Sequence, residues 1–378
     1  MQVPSLKSFL SDRFSKLMAV YLLWMASWIL AGSLFEVYFY GLGLTMQEIV
    51  LTAAFWGFGS LLITPFFKKI ESRKFMLVGI AIGFLSAVLL YFLNVKEAGY
   101  LFRFMISLTH LTFWIPFNIT FYEFRKNNNA ALASIYYSVG PLLTLLLPGV
   151  GGYIASVFGY SQLYLLSMAA YAITFIVAFM LLENKKYEYD LMESIKSIKG
   201  LRTIIFLEGF AAAAMVQVTA ETMLLKFADT PLEFGVIISV ATAFSIIASV
   251  LTAKISDKRK RRRELLILSA IALGIAGIIT GISNGIAQFF IGFALINFLK
   301  TVFFPFPFAL AIDNSKNLVK TIVGREYVLN IGRVSGALAG FFLLYYFDIS
   351  AMMLFNGIAL LVLFPLAFEH KKKGLEKI

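Results

Sequence analysis

The chain has 378 residues, of which 60% are apolar or aromatic and 14% are charged, compared with about 25% charged in an average soluble domain. A soluble fold of this length could not hide that much apolar surface from water, which excludes an ordinary soluble globular protein. The absence of cysteine excludes disulfides and thiol chemistry, and two histidines are too few for most histidine-based metal sites. The net charge is +12, but the basic residues lie between apolar runs, where they set the orientation of membrane spans. We therefore expect no nucleic-acid partner.

Apolar windows long enough to cross a bilayer recur along the whole chain. Crossing the hydrocarbon takes about 20 apolar residues per helix, and these runs are longer and more continuously apolar than barrel strands. The sequence therefore predicts an all-α membrane protein with twelve transmembrane helices. The predicted windows lie at residues 17–42, 48–67, 75–94, 99–122, 130–157, 160–182, 202–226, 232–253, 264–284, 286–311, 321–346 and 350–368.

Lysine and arginine are distributed unequally between the two sides that these windows define. Alternate connections, beginning with the N-terminal segment, hold 28 of them, whereas the opposite connections hold only Lys96 and Lys226. The positive-inside rule then predicts that both termini are cytoplasmic. We expect a multi-pass protein of the plasma membrane that works as a monomer within the lipid bilayer.

The longest polar connection divides the windows into two groups of six. Windows one to six and windows seven to twelve have nearly equal total lengths, which is typical of a repeated bundle. An even number of helices in each group makes the two repeats parallel. The sequence predicts an N-terminal six-helix bundle at 1–182, a cytoplasmic linker at 183–201, a C-terminal six-helix bundle at 202–368 and a basic tail at 369–378.

Three short stretches carry further information. Window five contains Pro148-Gly149-Val150-Gly151-Gly152, whose glycines let a neighbouring helix approach and whose proline frees a backbone carbonyl, which favours a bend. After window two, residues 68–74 form a degenerate basic cluster. After window eight the chain reads Ala253-Lys254-Ile255-Ser256-Asp257-Lys258-Arg259-Lys260-Arg261-Arg262.

These stretches resemble the major facilitator superfamily of secondary transporters. Its hallmark loop, Gly-x-Leu-x-Asp-Arg-x-Gly-Arg-Arg, follows the second helix of a half, and Lys260 departs from it where the second glycine is expected. Its fifth-helix motif is Gly-Pro-x-x-Gly-Gly, and Leu147 replaces the first glycine. Arg103 lies where many members carry an arginine in the fourth helix. The resemblance implies two pseudo-symmetric six-helix bundles that rock about a central cavity. The alternatives are that the two basic loops are only positive-inside clusters and that window five only allows static close packing.

Six ionisable side chains fall inside the predicted spans: Glu36, Arg103, Glu208, Glu221, Lys300 and Arg333. Each costs about 2.5 to 3.5 kcal/mol on insertion scales, so each needs a partner or a water-filled cavity. From their depths we predict one ion pair between Glu36 and Arg103, and a second between Glu208 and Lys300. Glu208 and Glu221 are about 220° apart around their helix, so we expect them to face different surroundings.

Window four carries a polar stripe on one helix face, formed by Arg103, Ser107, His110, Trp114 and Asn118 at spacings of three and four residues. Such a stripe rarely faces lipid, which predicts a cavity wall. His110 lies near mid-membrane, where a histidine can exchange a proton near neutral pH; the alternative is a histidine that only bonds a neighbour.

Window eleven begins with a charged cytoplasmic mouth. Arg325 and Glu326 lie at its start, and Glu326, Asn330 and Arg333 share one helix face. We interpret this group as part of a gate, although a carboxylate in the first turn also stabilises the helix dipole by itself.

Within the resemblance we expect a secondary active transporter rather than an enzyme, moving a small organic molecule by alternating access. No phosphate-binding loop is present, so the energy source is a proton or other ion gradient and no cofactor is expected. The aromatic content and window five favour export of amphipathic compounds. Proton-coupled uptake of a sugar or organic acid is the alternative, and a polytopic membrane enzyme is the rival from another class.

The predicted site residues fall into three groups. Proton coupling is assigned to Glu36, His110 and Glu221. The substrate cavity is assigned to Trp28, Arg103, Ser107, Trp114, Asn118, Gln217, Asn297, Lys300 and Arg333. Gating is assigned to Asp257, Arg261, Arg325, Glu326, Asn330, Pro148, Gly151 and Gly152.

Overall fold

The structure is a computed structural model that describes residues 12–124, 129–259 and 262–369, without side chains at 129–135, 212–215, 249–263 and 368–369. Within these residues, eleven helices are long and apolar enough to cross a membrane. The remaining predicted window is helical throughout 202–224 but mixes α and π turns. The prediction of an all-α membrane protein is confirmed, and every predicted window corresponds to a helical stretch.

We number the helices by predicted window. The first six are α1 (Arg13–Gly41), α2 (Met46–Phe66), α3 (Ser72–Phe92), α4 (Ala98–Tyr122), α5 (Asn129–Thr144 and Leu147–Phe158) and α6 (Tyr160–Leu181). The last six are α7 (Arg202–Leu207, Glu208–Gln217 and Val218–Leu224), α8 (Pro231–Arg259), α9 (Arg262–Gly281), α10 (Ile286–Phe303 and Pro305–Asp313), α11 (Leu318–Tyr346) and α12 (Ile349–Glu369).

Irregular turns interrupt several of the helices that carry the predicted site. The second segments of α5 and α10 each have a proline in the first turn, Pro148 and Pro305, where the missing N–H breaks the hydrogen-bond ladder. Helix α4 is π-helical at His110–Trp114 and α7 at Glu208–Gln217. Such turns are frequent at functional sites because they re-aim the side chains that follow.

The two groups of six helices meet along two long contacts. Helix α2 packs against α11, and α5 packs against α8. The second crossing is tight because glycines face backbone: a Cβ atom on Gly152 would overlap the Pro231 carbonyl oxygen, and one on Gly235 would overlap the Pro148 carbonyl oxygen. The Gly149 N–H also donates to the Ser239 hydroxyl at 3.0 Å. Close approach at window five is therefore confirmed.

Gly151 differs from its neighbours at this crossing. A Cβ atom at Gly151 would meet Leu163 of α6 at 3.4 Å, so this glycine packs within the first six helices and not across to the last six. Whether Pro148, Gly151 and Gly152 act in gating stays a prediction.

The connection between α6 and α7 is structured and touches both groups of helices. Strand β1 (Lys69–Glu71) pairs antiparallel with β2 (Lys186–Glu188), which the apolar windows gave no means of predicting. The following linker helix, Leu191–Ser197, packs on α11, where the Ser194 carbonyl lies against Gly324. We call the membrane face that carries this connection the linker face and the other the opposite face.

One loop on the opposite face is also tied to a neighbouring helix end. Asp348 accepts a hydrogen bond from the Ala351 N–H at 2.8 Å and contacts the Lys226 ammonium at 3.3 Å. The backbone N–H of Ala351, and then the Lys226 charge, hold the pKa of Asp348 below its ordinary value. These contacts join the α11–α12 loop to the end of α7.

Candidate functional site

Two cavities lie between the first six and the last six helices. The linker-side cavity has a volume of about 260 Å³ and is lined by residues that include His110, Trp114 and Asn118 of α4, Glu208 of α7, and Arg325, Glu326 and Arg333 of α11. The opposite-side cavity has a volume of about 170 Å³ and is lined by residues that include Trp28, Glu36, Arg103, Glu221 and Lys300. The ionisable groups predicted inside the spans therefore divide between two adjoining spaces.

Trp56 and Gln217 line both cavities and separate them. The Trp56 ring centroid lies 5.7 Å from the Arg103 guanidinium, 5.1 Å from that of Arg333 and 6.0 Å from the His110 ring. Sequence reasoning found Gln217 but missed Trp56, because a single indole inside an apolar span looks like ordinary packing. The Trp56 ring therefore lies beside charged groups of both cavities.

The predicted pair between Glu36 and Arg103 is confirmed. The Arg103 Nη2 atom donates to Glu36 Oε1 at 2.6 Å, and the two side chains are 7% and 2% exposed. Helix α1 turns irregularly after Gly32 and resumes at Phe35, so Glu36 lies in a first helical turn and reaches α4. The guanidinium also stacks over the Phe35 ring at 3.9 Å.

The predicted pair between Glu208 and Lys300 is wrong. Glu208 instead accepts from Arg325 Nη2 at 2.6 Å in the linker-side cavity, whereas Lys300 lines the opposite-side cavity. Counted from the linker-face ends of their helices, Lys300 lies about two turns of helix deeper than Glu208. The separation of Glu208 from Glu221, which lines the other cavity with Lys300, is as predicted.

Arg325 joins α11 to α7 at the base of the linker-side cavity. Besides Glu208, it donates through Nη1 to Glu326 at 2.7 Å, and its guanidinium lies 4.3 Å from the centre of the Phe308 ring. All three charged side chains are no more than 7% exposed. A buried arginine between two carboxylates fixes the helix pair, because removing it would leave buried charge unpaired.

A second arginine links the two groups of helices. Arg333 Nη1 of α11 donates to His110 Nε2 of α4 at 3.0 Å and to Asn330 Oδ1 at 2.9 Å. The other ring nitrogen, Nδ1, lies 3.1 Å from the Ser107 carbonyl oxygen. Since a guanidinium can only donate and a carbonyl can only accept, this arrangement requires a neutral imidazole with its proton on Nδ1.

Three predicted polar residues form hydrogen bonds with helix atoms and do not line either cavity. The Ser107 hydroxyl accepts from the Ser60 N–H at 2.8 Å, and Asn297 donates to the Phe293 carbonyl at 2.9 Å, so neither is among the lining residues of the two cavities. Asn330 is fully buried and holds Arg333. Helical spacing located the polar face but not which members a neighbouring helix covers.

The rest of the predicted lining is found in the two cavities. Trp28, Gln217 and Lys300 line the opposite-side cavity, and Gln217 also borders the linker-side one. The side chain of Asp257 and the whole of Arg261 lie outside the described residues. Tyr21, Tyr136 and Tyr137 line the linker-side cavity and were not predicted, because no sequence signal distinguishes them from packing aromatics.

Solved transporter structures share this fold over nearly the whole chain. One is a POT family transporter in complex with a thioalcohol-conjugated peptide, with a TM-score of 0.73 at 11% identity, covering 95% of this chain and 96% of that one. Another is the Major Facilitator Superfamily transporter FucP in the outward conformation, with a TM-score of 0.65 at 14% identity and coverages of 95% and 98%. A third is a point mutant of the nucleoside transporter NupG, with a TM-score of 0.67 at 11% identity and coverages of 94% and 100%.

Sequence comparison complements these structures, whose low identities show the fold alone. No curated protein sequence matches the chain. Residues 203–377, which include all of the last six helices from the second residue of α7 onward, match the family model of the Major Facilitator Superfamily. The second half of the chain is therefore similar in sequence to the major facilitator superfamily, and the whole chain shares the fold of FucP and NupG.

Proposed function

We propose that the chain is a proton-coupled secondary transporter that moves a small organic molecule by alternating access. The proposal is supported by two adjoining cavities at the seam between the first six and the last six helices, each lined by ionisable groups. Transporters place substrate and coupling-ion sites at such a seam near the bilayer midplane. In this proposal the two predicted bundles, 1–182 and 202–368, rock about the cavities.

The observation that carries the proton coupling is the hydrogen bond between Arg333 and His110. It requires a neutral imidazole, because Nε2 must accept. A proton on Nε2 would remove the acceptor and set an imidazolium against a guanidinium. Protonation thus favours separation of α4 from α11, and a proton biases which conformation is populated.

Glu36 and Glu221 are the further coupling candidates. Protonation of Glu36 would neutralise one partner of its ion pair with Arg103 and release a buried cation toward the opposite-side cavity. Each carboxylate would then bind or release its proton according to which face the cavity is open to.

We propose that the linker face is cytoplasmic, because most of the lysines and arginines of the chain flank it. Buried charge in both cavities favours polar over apolar substrates, and the similar structures include a transporter in complex with a peptide conjugate and a nucleoside transporter. This supports transport of a polar solute, and we propose uptake as its direction. Export of amphipathic compounds stays a prediction.

Replacing His110 by alanine is expected to reduce pH-driven flux by about tenfold, a loss of about 1.4 kcal/mol of coupling. Glu36→Gln is expected to do the same, because each change removes a proton-binding group. The measurement uses the purified protein in proteoliposomes with an imposed pH gradient, a lumenal pH-sensitive dye and a panel of externally added solutes. Solute exchange without a gradient should persist in both variants.

The matched control for this experiment is His370→Ala, which removes the other histidine of the chain, located in the basic tail. This variant should keep wild-type flux. If neither Glu36→Gln nor His110→Ala alters the pH-driven flux, the coupling assignment is wrong.

A further inference from the structure

The opposite-side cavity is lined by four charged side chains that are not equivalent. Glu36 and Arg103 form a direct ion pair at 2.6 Å, and Arg103 is also covered by the Phe35 ring. This pair is nearly sealed from the cavity and is neutral as a unit. The charge offered to a ligand therefore comes from the other two side chains, Glu221 and Lys300.

Glu221 and Lys300 project into the cavity without a direct partner. Both are partly exposed, and neither forms a hydrogen bond or an ion pair within 4.0 Å to any residue in the described part of the chain. They lie on different helices, α7 and α10, and both line the opposite-side cavity. One carboxylate and one ammonium group thus face the same space, more than 4 Å apart.

Unpaired charges inside a membrane protein are expensive and mark binding pathways. A ligand with one charge would pair with one of the two side chains and leave the other unpaired. A neutral ligand would leave both charged side chains unpaired and would also displace the water that solvates them. A ligand that carries an ammonium and a carboxylate group pairs with both at once.

We infer that the opposite-side cavity binds a small zwitterion, an amino acid or short peptide, with its ammonium group on Glu221 and its carboxylate on Lys300. This inference rests on the proposed transport function and names its substrate class. The cavity of about 170 Å³ is smaller than the range of about 300 to 1,000 Å³ found for drug-sized ligands, which fits a compact solute. The indoles of Trp28 and Trp56 border the same space and offer contact to an apolar side chain.

Thermal shift measurements on the purified full chain test the charge requirement. The probes are the twenty common amino acids, alanyl-alanine, and derivatives of each stabilising compound with the amine acetylated, the carboxylate esterified, or both. At least one zwitterion should raise the melting temperature, and its blocked derivatives should not. Glu221→Gln and Lys300→Gln should each weaken binding by about tenfold or more.

A charge exchange and a matched control complete the test. The double variant Glu221→Lys with Lys300→Glu should recover binding, because it restores both signs in the cavity. Lys226→Gln, which removes a lysine outside the cavity, should bind like the wild type. Zwitterion binding that is unchanged in both single variants would overturn the site assignment.

The flux assay with the pH-sensitive dye separates this inference from the proposed function. Proton movement driven by a zwitterion supports both. Proton movement driven only by glucose, N-acetyl-leucine or leucine methyl ester overturns the zwitterion inference and leaves proton-coupled transport intact. If no compound of the panel drives proton movement, both proposals are contradicted.

Discussion

Replacing Arg325 by methionine should destabilise the protein by about 3 to 5 kcal/mol, the usual cost of removing one partner from a buried ion pair. Arg325 binds Glu208 at 2.6 Å and Glu326 at 2.7 Å, and all three side chains are almost fully buried. Without the guanidinium, two carboxylates would face each other in a space with little water. Denaturant titration of the detergent-solubilised protein measures the loss.

The matched control is Arg13→Met, which removes an arginine from two exposed ion pairs with Glu123 and Glu183. Exposed pairs contribute about 0 to 1 kcal/mol, so this variant should lose little stability. The double variant Arg325→Met with Glu208→Gln should recover part of the loss, because one unpaired charge is removed. A loss at Arg325 no larger than that at Arg13 would show that the buried triad does not hold α7 to α11.

Replacing Gly235 by valine should reduce transport by about tenfold or more while leaving the fold intact, an effect on the conformational equilibrium of about 1.4 kcal/mol or more. A side chain at Gly235 overlaps the Pro148 carbonyl oxygen, so α8 and α5 cannot make their present contact. The valine therefore disfavours the conformation in which α5 and α8 cross this closely.

The absence of cysteine from the chain makes this shift measurable. A single cysteine at Thr144, which lines the opposite-side cavity, should react faster with a water-soluble maleimide when Gly235 is replaced by valine. The control is Gly285→Val, because Gly285 is extended and has open space around its Cβ position. Equal labelling rates with and without the Gly235→Val substitution would mean that the α5–α8 crossing does not control access.

Some contacts of the site could be predicted from the positions of residues along single helices. The Glu36–Arg103 pair was predictable because helix depth is fixed by residue number and the two helices carry only those charges near one membrane face. Glu208 and Glu221 line different cavities, as predicted, but the separation is one of depth along α7, because the π turns at Glu208–Gln217 change the angle that α-helical periodicity gives. The depth of a residue along its helix is a local property, which can be read directly from the sequence.

Other contacts depended on which helices are neighbours. Glu208 binds Arg325 because α7 packs on α11, and nothing in the sequence ranked that partner above Lys300. Asn297 satisfied its polar group on its own helix, and the pairing of β1 with β2 joins segments more than 110 residues apart. Trp56 could not be recognised from the sequence, because what distinguishes it is its position beside the Arg103 and Arg333 guanidinium groups.

A proton at His110 is expected to release Arg333 and open the linker face. Spin labels on cysteines at Lys74 and Lys316 report the width of the linker face, and labels at Glu97 and Asn284 report the opposite face. When the pH is lowered from about 8 to about 5, the Lys74–Lys316 distance should lengthen by several ångströms in electron–electron double resonance. With His110→Gln, whose amide oxygen can still accept from Arg333, the distance should not respond to pH. Identical distance distributions at both pH values in the protein with His110 would contradict the proton-driven opening.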